Sequence, residues 1–481
     1  MPHRRPAPRT APSAVLAALT ALLLAVVLVP GATARDAGRA STVGAQGIGD
    51  PYWPLDGNGG IDVRHYDVRI SYDPAVGRLD GTTTLRLRAT QDLTAFHLDL
   101  LLPVTEVEVD GVAARWSRPG SHELRVVPAT RIDRGQVVAV RVTYSGRPDD
   151  ASYAGESNWL SGPREVVAVN QPHMAPWWFP SNDHPRDKAT FDVTVTGPVA
   201  MQAISNGTLV SRTEVGTKAR THWRSADPMA TYLAFFALGR YQVERGRIAG
   251  LPYYNAVSRS LDPDLRATAL RQLRGSARIT ARLADRLGPY PFESTGGLAT
   301  GLPLWFALEN QTRPVYPGWA IDRSLLVHEL GHQWFGDSVA VGRWRDIWLN
   351  EGFATFLEHW DVEQRGGTSA TTWLRRAHAE RRNDATFWRL DIADPGPGRV
   401  FDNRVYERGA MAVQALRDRL GERVFWKALR TWLAARRDGV GTVPAFRRHV
   451  QRVSGKDLRG FFRTWLSGRR APDATRANGL R

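Results

Sequence analysis

The residues of this chain best suited to chemistry are His328-Glu329-Leu330-Gly331-His332, two histidines four apart with a glutamate between them. On a helix, positions i and i+4 stand one above the other on the same face. Both imidazoles can then reach one metal ion at Zn–N distances of ~2.0–2.1 Å. Glu329, adjacent to the first histidine, points beside such an ion, where it can take a proton from an activated water. The pentapeptide alone also fits a surface helix carrying two histidines, so a third ligand decides. Six residues after His332 stands Ser338, which excludes a third histidine at that spacing. Glu351, in Trp348-Leu349-Asn350-Glu351-Gly352-Phe353-Ala354, lies 19 residues after His332, and the turn-rich stretch 336–345 lets the chain come back. Two imidazoles and one carboxylate leave a fourth position for water, as in catalytic rather than structural zinc sites. The expectation is one Zn2+ per chain on His328, His332 and Glu351, with other divalent metals able to occupy the same donors.

These residues need helices to carry them. Helical periodicity is expected over 322–335, with Asp322 as N-cap and Gly336 as the stop. Further helices are expected over 350–360, 407–420, 423–436, 444–453 and 458–466, and a helical stretch over 262–287. Upstream the period is two. Tyr66, Val68, Ile70 and Tyr72 alternate with polar residues, as do Val138, Val140, Val142 and Tyr144, and Phe191, Val193 and Val195. Such alternation between Gly, Pro and Asp clusters predicts half-buried strands. The plan is α+β and multidomain: an all-β domain over 50–245, then a mostly helical domain over 246–468 holding every metal-ligand candidate, with a loose polar tail over 469–481.

The first 34 residues read as an export signal. Arg4, Arg5 and Arg9 precede an apolar run over 14–29, and Ala32-Thr33-Ala34 offers a cleavage site. Residues 35–49 read as a flexible lead-in. No later stretch resembles a membrane span, so the expected location is extracellular, without stable membrane insertion. With no cysteine, disulfides and a cysteine-linked lipid anchor are excluded. The net charge is +16, but the basic residues are nearly all Arg, scattered, and without a nucleic-acid-binding motif, so no nucleic-acid partner is expected. A hydrophobic content of 42% suits packed cores and excludes a disordered or fibrous chain.

His328 to His332 followed by Glu351 in its Trp-Leu-Asn-Glu-Gly-Phe-Ala context resembles the M1 family of zinc aminopeptidases, which are gluzincins. His332-Gln333-Trp334-Phe335-Gly336 strengthens the match. Leu287-Gly288-Pro289-Tyr290-Pro291-Phe292, Gln171-Pro172, Phe179-Pro180-Ser181-Asn182-Asp183-His184-Pro185 and the opening Asn58-Gly59-Gly60-Ile61-Asp62-Val63 are similar to other segments of that family, so the resemblance spans residues 50 to 467. It implies a saddle-like β-sandwich followed by a thermolysin-like catalytic domain, and an aminopeptidase acting on peptides with a free N-terminus. In the family a Gly-x-Met-Glu-Asn run lies upstream of the metal motif; here it is Phe306-Ala307-Leu308-Glu309-Asn310. The resemblance makes Glu309 the anchor for the substrate's α-ammonium and puts Ala307, Asn310 and Gln171 among the substrate-binding residues. Phe306 for Gly and Leu308 for Met depart from the pattern, and Phe306 adds bulk near the substrate backbone. Val405-Tyr406-Glu407-Arg408-Gly409 resembles the family's Tyr-Glu-Lys-Gly segment, which implies that the Tyr406 hydroxyl donates to the oxyanion. His173 and His184 are read as structural. Many relatives carry a large helical domain after the catalytic one, and without it a more open cleft is expected. An endopeptidase of the same zinc class, an epoxide hydrolase as in one branch of the family, and a non-catalytic binding protein are the alternatives.

Overall fold

Alternating side chains make the first half of the chain a set of sheets. The structure is a computed structural model and describes residues 42–481; the expected signal peptide at 1–34 lies outside them. In strand Ile61–Asp73, Tyr66, Val68, Ile70 and Tyr72 are all buried, the period-two pattern that one covered face requires. This strand is central to an eight-stranded sheet, in the order Thr208–Val215, Lys218–Ala230, Lys188–Pro198, Ile61–Asp73, Arg78–Ala89, Val137–Gly146, Val104–Val109 and Val112–Ala113. Ile61–Asp73 and Lys188–Pro198 run parallel, with Tyr66 opposite Phe191 and their rings stacked at 4.7 Å. A three-stranded sheet (Phe96–Asp99, Glu123–Val127, Arg115–Ser117) and a four-stranded one (Gln202–Ser205, Phe236–Gly239, Glu165–Ala168, Leu160–Gly162) contribute to the same apolar core.

Strands continue past residue 245. Tyr241–Ile248 pairs with Leu251–Ser258, which lies parallel to Thr295–Thr300, itself parallel to Val315–Pro317. The expected boundary at 245–246 therefore falls inside a strand. Thr295–Thr300 is buried at every position, and a strand covered on both faces shows no alternation to read.

Parallel strands need a crossover, here α1 (Pro263–Leu273) and α2 (Ser276–Leu287), two helices rather than the single stretch expected over 262–287. α3 (Arg323–His332) starts at Asp322, whose carboxylate accepts the Leu325 N–H at 2.8 Å. Gly336 follows it at φ 134°, in the region that favours glycine. Next come α4 (Trp348–Gln364), α5 (Ala370–Arg381), α6 (Ala385–Arg389), α7 (Asn403–Leu420), α8 (Glu422–Arg436), α9 (Val443–Ser454) and α10 (Arg459–Phe462). α5 and α6 were not expected, because α5 buries only Ala370, Leu374, Ala377 and His378 in an otherwise charged sequence. α4 and α7 cross in backbone contact: a Cβ on Gly352 would stand 2.8 Å from the Gly409 Cα, and one on Gly409 2.7 Å from the Gly352 Cα. None of the described helices is long and apolar enough to cross a membrane.

Two segments expected to be loose are held. Within the lead-in, the Gly44 N–H donates to the Ala95 carbonyl at 2.9 Å and the Ile48 N–H to that of Asp56 at 3.2 Å, so 42–49 is tied to the sheets by its backbone. In the tail, Leu480 is buried in the apolar core, the Trp465 indole donates to the Asn478 carbonyl at 3.0 Å, and His378 Nε2 to that of Pro472 at 2.8 Å. One buried apolar side chain, together with these hydrogen bonds, seats it. The loop between α3 and α4 also leans on the first half. Lys188 Nζ donates to the Asp337 and Ser338 carbonyls at 2.6 and 2.8 Å, Arg186 to that of Gly342 at 3.3 Å, and Asp50 accepts the Trp344 N–H at 3.0 Å.

Candidate metal centre

α3 presents His328, Glu329 and His332 on one side, and α4 lies against it through Gly331, whose Cβ position is only 2.8 Å from Leu357 Cδ1. The two helices bring Glu351 to both histidines. Nε2 of His328 and Nε2 of His332 stand 3.4 and 3.3 Å from the same oxygen, Glu351 Oε2. Ligands ~2.1 Å from a tetrahedral ion stand about 3.4 Å apart, so the three atoms have the spacing of one coordination shell. Each remaining ring nitrogen is engaged elsewhere: His328 Nδ1 with Glu358 Oε1 at 2.8 Å, and His332 Nδ1 with the Phe335 carbonyl at 3.0 Å. With Nδ1–H donating to these oxygens, Nε2 is in each ring the nitrogen turned to Glu351 and left to ligate, which is how metal-binding histidines are oriented. Glu351 Oε1 is buried without a hydrogen-bond partner. The donor set and its orphaned oxygen fit a zinc ion.

The electrostatics agree. Burial opposes charge on Glu351, yet His332 and His328 outweigh it and hold the carboxyl at about 2. Burial likewise opposes charge on the imidazoles, but Glu351 with Glu358 holds His328 well above its ordinary value, and Glu351 with Glu309 brings His332 to about 9. The pocket is built to hold positive charge. Glu329 differs: burial, with Glu309 and Glu351 nearby, pushes it up to about 8 against the pull of His328 and His332. It thus holds a proton far more readily than the neighbouring Glu351, as a group that carries a proton must.

These groups open into a cavity of about 440 Å³. Its lining holds five carboxylates (Glu309, Glu329, Glu351, Glu358 and Asp322) and no Lys or Arg, in a chain of net charge +16. Glu309 Oε1 accepts the Tyr232 hydroxyl at 3.0 Å, and its backbone carbonyl accepts Gln333 Nε2 at 3.0 Å. Burial raises the Glu309 carboxyl, with Glu351 adding to it, so an arriving cation favours the ionised form. Glu309, Glu329 and His332 have polar atoms within 4.8 Å of one another. Tyr406, near the start of α7, lies parallel to the His328 ring at 6.0 Å. Burial, then Glu351, Glu309 and Glu329, hold its hydroxyl well above the usual range, so it remains a donor.

Gln171 and Ala307 line the cavity as expected, and Phe306 stands at it, 39% exposed. Asn310 does not line it. The residue is fully buried and its Nδ2 donates to the Leu233 carbonyl at 2.9 Å, which fixes the segment next to Glu309. His173 and His184 are structural, paired with Asp56 at 2.7 Å and Asp50 at 3.1 Å. Two residues, Glu358 and Tyr232, escaped the sequence reading, as did the contact made by Gln333, which was read only as part of a motif. Glu358 follows Glu351 by seven positions on one helix face, a spacing that was readable. Tyr232 and Gln333 reach Glu309 only through the tertiary fold.

The geometry has counterparts. Residues 321–465 match the Peptidase family M1 domain, and 63–233 the Peptidase M1 N-terminal domain. The chain is 25% identical over 458 residues to "Probable M1 family aminopeptidase 2" of Encephalitozoon cuniculi, covering 84% of this chain and 51% of that one. It is 24% identical over 473 residues to glutamyl aminopeptidase of Mus musculus, covering 85% and 47%. The chain thus spans about half the length of the curated relatives it matches. Among solved structures, the M1 zinc metallopeptidase from Deinococcus radiodurans aligns at 27% identity and TM-score 0.81, covering 89% of this chain and 98% of that one. A mutant of that protein bound to a Tyr-Ser-Ala substrate aligns at TM-score 0.80. The sheet-rich half and the helical half each match a domain of one family, and the chain belongs to peptidase family M1.

Proposed function

We propose that this protein is a zinc-dependent aminopeptidase that removes single residues from the free N-terminus of peptides. The observation that carries the reading is Glu309, a buried carboxylate held by Tyr232 in the same cavity as His328, His332 and Glu351. A zinc ion bound by those three ligands would supply Lewis acidity and lower the pKa of a water toward ~7. Glu309 pairs with the substrate's α-ammonium, and the fixed distance from it to the ligand set admits one residue between chain end and scissile bond. Glu329 takes the proton of the attacking water and returns it to the leaving amine. The Tyr406 hydroxyl donates to the developing oxyanion. The tripeptide held by the Deinococcus relative supports a peptide as substrate. Comparing one fluorogenic peptide with its N-acetylated copy tests the proposal. Cleavage of the free peptide alone supports it, and Glu309→Ala then raises KM for that peptide. Equal cleavage of both peptides would overturn the aminopeptidase reading in favour of an endopeptidase, with Phe306 the first residue to change.

The same reading places the protein outside the cell, on the strength of Arg4, Arg5, Arg9, the apolar run and Ala32-Thr33-Ala34. N-terminal sequencing of protein recovered from culture medium should begin at Arg35; an intact Met1 start on cell-retained protein would refute export.

A further inference from the structure

Asp99 ends the strand Phe96–Asp99, Glu123 begins the strand Glu123–Val127, and the two face each other as cross-strand partners. Like charges directly opposite destabilise a sheet, and these carboxylates are only 1% and 2% exposed. Among the described residues no Lys or Arg pairs with either; their ion-pair partner is His122, buried beside them. Asp99 Oδ2 is satisfied by Asn58 Nδ2 at 3.0 Å and the Asp183 N–H at 2.7 Å. These bonds fix the carboxylate and leave Oδ1 without a partner, and both oxygens of Glu123 have none. His122 Nε2 stands 3.5 Å from Glu123 Oε1 and 3.8 Å from Asp99 Oδ1, close to the 3.3 and 3.4 Å between the ligand atoms of α3 and α4. In the structure His122 Nε2 donates to the Leu55 carbonyl at 3.3 Å; a cation bound here would replace that bond, with the imidazole proton carried on Nδ1 and the carbonyl left as a fourth ligand.

We propose that Asp99, His122 and Glu123 form a second metal site, structural rather than catalytic, for a divalent cation of the zinc class. Mixed imidazole and carboxylate donors suit zinc or manganese better than calcium, which prefers oxygen alone. The bare oxygens converge with Nε2 within 4.8 Å, and a dication among them turns an opposed pair of buried charges into a shared ligand set. The cation would pin two strands of the small sheet, and through Leu55 the segment ahead of the first long strand. The competing account is a shared proton, since burial and Asp56 push Glu123 up to about 8.

Glu123→Gln separates the two, because an amide replaces a protonated carboxyl without loss but ligates metal poorly. Metal content of the purified full chain is measured after dialysis against metal-free buffer, for the wild type, Glu123→Gln and His332→Ala. The expected result is two zinc ions per chain in the wild type and one in each variant, with Glu123→Gln retaining peptidase activity but melting lower. One zinc in the wild type, or two in Glu123→Gln, overturns the proposal. Should Glu123→Gln fail to fold, His332→Ala decides alone: one retained zinc, with a rise in Tm when zinc is added back to a chelated sample, supports the site, and none overturns it.

Discussion

Glu329 and Glu351 are both buried, on helices packed side by side, yet one is held at about 8 and the other at about 2. Partners make the difference: Glu351 lies between two imidazoles, whereas Glu329 faces Glu309 as well. Environments that drive like groups apart divide them into base and ligand. Glu329→Gln should therefore keep zinc at one equivalent in the catalytic centre while kcat falls by at least ~10²–10⁴; undiminished turnover would refute the assignment. Glu358 orients His328 from behind, with its other oxygen held by Ser324 at 2.6 Å. Glu358→Ala should weaken catalytic zinc binding by about 10–100-fold, read by chelator competition. His328, His332, Glu351, Glu329 and Glu309, which the structure gathers around one cavity, were legible as residue types at fixed spacing and by family resemblance. Tyr232 and Gln333 were not, because contacts made across 77 and 24 residues leave no local pattern.

Helices α3, α4 and α7 act as the frame that turns those residues into a site. Tyr406 belongs over the histidines only because α7 can approach α4 to backbone contact at Gly352 and Gly409. Gly352→Ala would gain up to ~1 kcal/mol in helix propensity. The added carbon would meet the Gly409 backbone at 2.8 Å, and overpacking of that kind costs about 1–3 kcal/mol. The second effect wins. The variant should melt lower and lose both kcat and zinc affinity, since Tyr406 on α7 and Glu351, next to the substitution on α4, are both displaced; equal Tm and kcat would show that the crossing has slack. At this scale the sequence was most readable where one face is wet. Alternating strands and α3 with its Asp322 cap emerged near their true bounds. The buried parallel strands and α5 did not, because uniform burial and a thin apolar stripe carry little periodicity.

For the molecule as a whole, buried charge in the sheet-rich half makes stability depend on pH. Burial would lower His173, but its bonds to Asp56 and Glu156 outweigh this and raise it to about 10. A histidine raised in the folded state stabilises fully below its unfolded value of about 6.5 and loses that contribution as pH climbs toward 10. His173→Gln should thus lower Tm most at pH 6 and progressively less above pH 7, with the gap nearly closed by pH 10; a constant gap would assign the effect to packing alone. Whole-molecule features were the least legible. The seating of Leu480 and of residues 42–49 rests on a few contacts with segments distant in sequence. The loop between α3 and α4, held from Lys188, Arg186 and Asp50, gives the chain a history. A ribosome releases those three residues long before the two metal-binding helices exist. The residues that hold the loop are made before the loop itself, and Tyr406 follows His328, His332 and Glu351, so in chain order the proposed ion ligands precede the proposed oxyanion donor.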